Sequence, residues 1–325
     1  MTEITHRFID TNGIHMHIAE AGQGPLVVLL HGWPESWYSW RHQLTALAEA
    51  GYHVVAPDQR GYGQSDRPAE IEQYTQLHLV GDVLGILDAL GEAQAALVGH
   101  DWGAIVAWNV ALMRPDRIRG VVGLSVPYMP RGAASFLAMM RGMLGERFYM
   151  AYFQQPGVAE AELERDVRTT FRKLLYSNSG DAPADRLSPV WIVPEGKGFL
   201  DLFLYPETLP AWLSQQDLDY YTSEFERTGF GGTLNWYRTF EKSWELMAPW
   251  TGAPLLTPAL YMVGEQDTFV RSPGGQEMIA SLPAFMPALK ETILLPGCGH
   301  YIPQERPAEV NEALLAFLQD LAPQG

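Results

Sequence analysis

Cysteine is nearly absent: Cys298 is the single residue of its kind, so no disulfide can form within the chain. Its setting, Gly297-Cys298-Gly299, reads as a tight turn rather than a redox motif. Basic residues are scarce as well. Against 38 Asp and Glu stand 22 Lys and Arg, a formal net charge of -16 that repels phosphate backbones and anionic head groups and argues against nucleic-acid and membrane partners. A small neutral ligand suits such a surface better. No apolar run approaches the ~18 residues of a membrane span, and Met1-Thr2-Glu3-Ile4-Thr5-His6-Arg7 lacks the basic flank and apolar core of an export signal. The expectation is a cytoplasmic protein. Internal repeats and low-complexity tracts are missing too, and no G-x-S-x-G occurs anywhere, which removes the usual serine-hydrolase elbow.

What is present is the composition of a folded chain. Hydrophobic residues make up 47% of 325, with 10 tryptophans, enough for one large core with an inserted cap. Short apolar runs recur between helical stretches: Leu26 to Leu30, His53 to Ala56, Ala95 to Val98, Gly120 to Leu124, Ala259 to Val263 and Thr292 to Leu295. Runs without strict alternation fit parallel strands covered on both faces, which makes the class α/β. Several end in turn chemistry, such as His31-Gly32-Trp33-Pro34 and Gly99-His100-Asp101-Trp102-Gly103, and ligands of open α/β sheets bind at the carboxyl ends of strands. Between about Pro127 and Pro249 the rhythm breaks into helices and aromatic-rich loops. The reading is a core of residues 1–127 and 250–325 and a helical cap of residues 128–249, with helices expected from Glu160 to Leu175 and from Leu234 to Leu246. Pro183 to Pro210 is the least regular stretch.

The strongest chemical signal is Val98-Gly99-His100-Asp101-Trp102-Gly103-Ala104, a strand running into a helix with glycines flanking a tight turn. This is the frame of a nucleophile elbow, whose strained turn leaves no room for larger neighbours and presents its central side chain. Here that side chain is Asp101. An isolated aspartate at such a place would ordinarily be a helix N-cap; three further features favour a nucleophile. Of nine histidines, His300 alone follows His100, and it lies in a loop after an apolar run, where chain order places a catalytic histidine. An acid to orient it is supplied by Val263-Gly264-Glu265-Gln266-Asp267, with Asp267 preferred over Glu265 because it lies farther along the loop. The backbone N–H of Trp33, with that of Trp102, could form an oxyanion hole, and His31 and Pro34 of the same turn would wall the substrate pocket.

With these residues in place the chain resembles the α/β-hydrolase-fold epoxide hydrolases, over about Gly22 to Leu318. His31-Gly32-Trp33-Pro34, the run from Asp58 to Pro68, and Gly99 to Gly103 carry the likeness. In the cap, Tyr152-Phe153-Gln154-Gln155-Pro156-Gly157 and Asn235-Trp236-Tyr237-Arg238 resemble the segments bearing that family's two epoxide-binding tyrosines, which implies Tyr152 and Tyr237. The resemblance implies an α/β-hydrolase fold and opening of an epoxide through an ester on Asp101, hydrolysed by water that His300 and Asp267 activate. It implies no metal and no organic cofactor; His15-Met16-His17 lies on an expected strand without further ligands. The phosphatase domain of the mammalian soluble enzymes is not expected. Two alternatives stand beside this reading. A haloalkane dehalogenase shares fold and nucleophile, but commonly has Asn where Trp33 stands and lacks the tyrosine pair. A non-catalytic hydrolase-fold receptor would need neither tyrosine.

Overall fold

The computed structural model describes residues 2–321. Its eight strands are β1 (Thr5–Thr11), β2 (Ile14–Ala21), β3 (Leu26–Leu30), β4 (His53–Pro57), β5 (Ala95–His100), β6 (Ile118–Leu124), β7 (Ala259–Gly264) and β8 (Leu289–Leu295). They form one sheet in the order β1-β2-β4-β3-β5-β6-β7-β8. From β4 to β8 all neighbours are parallel, whereas β1 and β2 join antiparallel at one edge. That hairpin turns on Asn12 and Gly13, both at positive φ, the Asn-Gly pairing that a two-residue turn with right-handed strand twist favours.

The runs of β3 to β7 become strands because both faces are covered, whereas the run expected to be covered at Thr292 to Leu295 forms the edge strand β8, mostly exposed because it has one neighbour. Along β3, Leu26, Val28 and Leu30 join the cluster under α2 (Gln76–Leu90) and α3 (Trp102–Met113), while Val27 and Leu29 join that under α1 (Arg41–Glu49) and α14 (Pro307–Asp320). The period of two therefore persists, but both sets are apolar. Such side chains, each worth on the order of 1.5–3 kcal/mol when buried, fix the register from which the site loops depart.

Between β6 and β7 run α4 (Phe136–Leu144), α5 (Tyr149–Tyr152), α6 (Val158–Leu163), α7 (Val167–Ser177), α8 (Gln215–Thr228), α9 (Gly231–Arg238) and α10 (Phe240–Leu246). After β7 come α11 (Thr268–Arg271) and α12 (Gly275–Phe285), and α13 (Ile302–Glu305) precedes α14. Both long helices expected in the insertion are broken. Asp166 interrupts the first: its carboxylate accepts from the Thr169 N–H at 3.0 Å and caps α7, a local bond that competes with helix continuation. Thr239 interrupts the second, its hydroxyl lying 2.9 Å from the Tyr74 carbonyl across the interface. The stretch around Pro183 to Pro210 holds short 3-10 turns at Ala184–Arg186 and Phe199–Leu202 and one isolated antiparallel bridge from Ile192 to Phe148. Among the described residues no helix is long and apolar enough to cross a membrane.

Candidate active site

Four loops meet where β3, β5, β7 and β8 end, the carboxyl edge at which open α/β sheets bind ligands. β5 delivers Asp101 with φ 52 and ψ -118, a conformation costing roughly 1–3 kcal/mol that persists only where the surroundings enforce it. The glycines enforce it. A Cβ on Gly99 would lie 2.2 Å from the Gly103 carbonyl oxygen, one on Gly103 2.0 Å from that of Leu30, and one on Gly32 2.4 Å from the Asp101 Cβ. Asp101 does occupy the N-cap position of α3, yet its side chain makes no capping bond. Instead Oδ1 accepts from the Trp33 N–H at 2.8 Å, and Oδ2 lies 3.6 Å from His300 Nε2. The carboxylate is held by catalytic partners, not by its helix.

His300 Nδ1 stands 2.8 Å from Asp267 Oδ2, and Asp267, 1% exposed, spends its other oxygen on the Phe269 N–H at 2.7 Å. The acid is thereby fixed in orientation and can fix the imidazole. Burial alone would lower the His300 pKa, but the charges of Asp267 and Asp101, with the hydrogen bond to Asp267, push it well above its ordinary value. The His300 ring therefore sits between two acidic side chains that favour its protonated form. Because the folded pKa is raised, the stabilisation His300 gives is complete below its unfolded pKa and is lost as pH rises through the folded one. In Asp101→Asn, one of the charges that raise it disappears, so the His300 ring should titrate at lower pH than in the wild type. Imidazole nitrogen shifts followed by NMR would check this; an unmoved midpoint would mean that Asp101 does not share the proton's field.

The tyrosines revise the expectation. Tyr237 on α9 is buried, its ring edge-on to Trp102 at 5.0 Å and to Trp33 at 5.7 Å between centroids. Tyr152 is not beside it. Its hydroxyl donates to Glu162 Oε2 at 2.9 Å, and burial together with that carboxylate pushes the phenol up to about 12. Glu162 also accepts from the N–H groups of Phe199 and Leu200, so Tyr152 completes the anchor of a cap turn. One helical turn earlier, Tyr149 takes the place facing Tyr237, with centroids 6.1 Å apart. Burial and the Asp101 charge raise its pKa, and both act on Tyr237 as well. Two neutral phenols thus share the field of the nucleophile.

Residues 25–307 match the family model described as alpha/beta hydrolase fold. Epoxide hydrolase 3 of Siraitia grosvenorii is 46% identical over 98% of this chain and 99% of its own length. For epoxide hydrolase A of Mycobacterium tuberculosis the identity is 45%, over 98% of both chains. The chain belongs to the α/β-hydrolase-fold epoxide hydrolases. The crystal structure of epoxide hydrolase A from Mycobacterium thermoresistibile superposes with a TM-score of 0.90, at 44% identity and 98% coverage of each chain.

In this epoxide hydrolase fold a buried polar layer supports the reacting groups. Glu35, wholly buried, accepts from the Gly32 N–H at 3.0 Å and from Gln304 at 3.1 Å, and lies 2.7 Å from His100 Nδ1. Burial would raise its pKa, but His100 and the surrounding hydrogen bonds hold it at about 2. The other nitrogen of His100 is 2.8 Å from the His300 carbonyl, so one ring with acceptors on both sides ties the oxyanion loop to the histidine loop. His31, expected in the pocket, belongs to this layer instead. It is 0% exposed, with Nδ1 2.9 Å from the Gly32 carbonyl and Nε2 accepting from the Gln59 N–H at 3.1 Å, which leaves neither nitrogen for a ligand. Pro34 is buried in the same loop, after a cis peptide bond. Trp102, whose N–H was paired with that of Trp33 as an oxyanion donor, opens α3 directly behind Asp101.

Sequence reading missed Tyr149, Glu35 and His100 as site residues. Tyr149 had a signal, since two tyrosines stand one turn apart in one segment, but the choice between them depends on Glu162. Glu35 and His100 stand in the same motifs as Trp33 and Asp101, but what makes them a pair is a 2.7 Å contact between separate segments of the chain that no local pattern announces.

Proposed function

We infer that the chain hydrolyses epoxides to vicinal diols through an ester on Asp101, with residues 128–249 as the cap that covers the substrate. The observation that carries this reading is the Asp101 carboxyl at the elbow, with the Trp33 N–H 2.8 Å from Oδ1, His300 Nε2 3.6 Å from Oδ2, and the paired phenols of Tyr149 and Tyr237 within reach of its charge. The Asp101 oxygen displaces the epoxide oxygen at carbon; one C–O bond forms and one breaks. Tyr149 and Tyr237 hydrogen-bond the leaving oxygen and supply its proton, which a strongly basic alkoxide requires in a dry pocket. Ester formation removes the Asp101 charge. His300 then loses one cause of its raised pKa, gives up its proton and becomes the base that activates water. Thus the proton consumed at the alkoxide is matched by the one released from the ring. Water adds to the ester carbonyl, whose oxygen meets the N–H of Trp33 with that of Trp102, and the diol leaves as Asp101 is restored.

Oxygen labelling tests the covalent route. With enzyme in excess over styrene oxide in ¹⁸O-water, a single turnover should give largely unlabelled diol and place the label on the peptide containing Asp101. Labelled diol with an unlabelled Asp101 would make Asp101 a general base and overturn the reading.

A further inference from the structure

Trp33 carries two N–H groups, and they hold different halves of the site. Its backbone N–H binds Asp101 Oδ1 at 2.8 Å, while its indole Nε1 donates to Thr233 Oγ1 at 3.1 Å. Trp33 is 5% exposed and Thr233 0%, so neither group has water as a substitute partner. The Thr233 hydroxyl has one proton, and it goes to the Phe230 carbonyl at 2.9 Å, which fixes the oxygen as acceptor for the indole.

Thr233 lies on α9, four residues before Tyr237 and therefore on the same side of the helix. Other bonds secure α9 elsewhere: Trp236 Nε1 donates to the Arg60 carbonyl at 3.0 Å, Thr239 Oγ1 to that of Tyr74 at 2.9 Å, and Gln154 Nε2 to that of Tyr237 at 3.0 Å. These keep the helix docked. Among the described residues, the hydrogen bond that ties α9 to the loop between β3 and α1, whose Trp33 N–H holds Asp101, is the one from Trp33 Nε1.

We propose that Thr233 is a positioning residue for ring opening, registering the helix that carries Tyr237 against the loop that holds Asp101. The proposal rests on the epoxide reading of the same site. Opening an epoxide needs attack at carbon and proton delivery at oxygen in one step, so the spacing between carboxylate and phenol matters in a way that the position of either alone does not. Beside the ring contacts of Tyr237 with Trp102 and Trp33, one hydrogen-bonded path spans that spacing, from Asp101 through Trp33 to Thr233 on the helix of Tyr237. Loss of the bond lets α9 shift on its remaining anchors without leaving the core.

Single-turnover fluorescence with styrene oxide separates alkylation from ester hydrolysis and tests this. Thr233→Val should slow alkylation about ten-fold, the scale of one buried hydrogen bond, with substrate affinity nearly unchanged. Thr233→Ser, which keeps the acceptor, should restore most of the rate. Trp33→Phe should slow alkylation to a similar extent, and adding Thr233→Val to it should cost little more, as a shared bond requires. A Thr233→Val protein that alkylates at the wild-type rate would overturn the proposal, as would full additivity with Trp33→Phe. Should Thr233→Val fail to fold, Trp33→Phe alone decides, because Thr233 keeps its bond to Phe230; wild-type alkylation in that variant again overturns the proposal. Wild-type enzyme that forms neither ester nor diol would instead strike the epoxide reading, and the proposal with it.

Discussion

His300→Gln should take up one molecule of styrene oxide and hold it. Alkylation needs the carboxylate of Asp101 and the phenols of Tyr149 and Tyr237, none of which is removed, whereas ester hydrolysis needs a base beside the carbonyl. General bases contribute on the order of 10²–10⁴-fold, and the second step should slow by about that factor. Glutamine can hold the Asp267 bond but cannot take a proton. Intact mass spectrometry should show the added mass of one substrate, mapped to the peptide containing Asp101. No adduct under saturating substrate would refute the division of labour between the two steps.

Replacing Tyr149 and Tyr237 together by Phe should nearly abolish alkylation, because the alkoxide would leave with no donor. Each single change removes one donor and should cost roughly 10²-fold, as loss of an oxyanion-type donor does; the double change should cost clearly more. Tyr152→Phe serves as the contrast. It breaks the bond to Glu162, a cap anchor, and should affect stability by about 1 kcal/mol while leaving the alkylation rate near that of the wild type. Stopped-flow alkylation with circular dichroism to confirm folding checks all four proteins. A Tyr152→Phe enzyme as slow as Tyr149→Phe would return the acid role to Tyr152.

Much of this site was legible because its chemistry is local in sequence. An elbow needs glycines at fixed offsets around its nucleophile, so Gly99 and Gly103 mark Asp101 without any tertiary information. His300 and Asp267 follow from chain order and from the ends of apolar runs. The sheet was legible for the same reason, since buried parallel strands are continuous apolar words. The antiparallel hairpin of β1 and β2 was less so, although Asn12-Gly13 announces its turn. What could not be read is whatever a distant partner decides. Glu162 holds the Tyr152 hydroxyl, and Tyr149 is left to face Tyr237. Gln59 and Gly32 occupy both nitrogens of His31 and withdraw it from the pocket. Asp166 and Thr239 break helices whose apolar spacing continues through the break, because a side-chain bond outweighs periodicity there.

The two oxygens of Asp101 have unequal fates. Oδ1 already rests on the Trp33 N–H, in the position the ester carbonyl must occupy, while Oδ2 faces His300 and is the one free to attack. If the carboxyl group keeps this orientation, the attacking oxygen departs in the diol and water replaces it, cycle after cycle, while its twin never leaves the protein. One atom of the nucleophile is then a permanent resident and the other a passenger that solvent renews at each turnover, so that a carboxylate symmetric by constitution is made asymmetric by a single backbone amide.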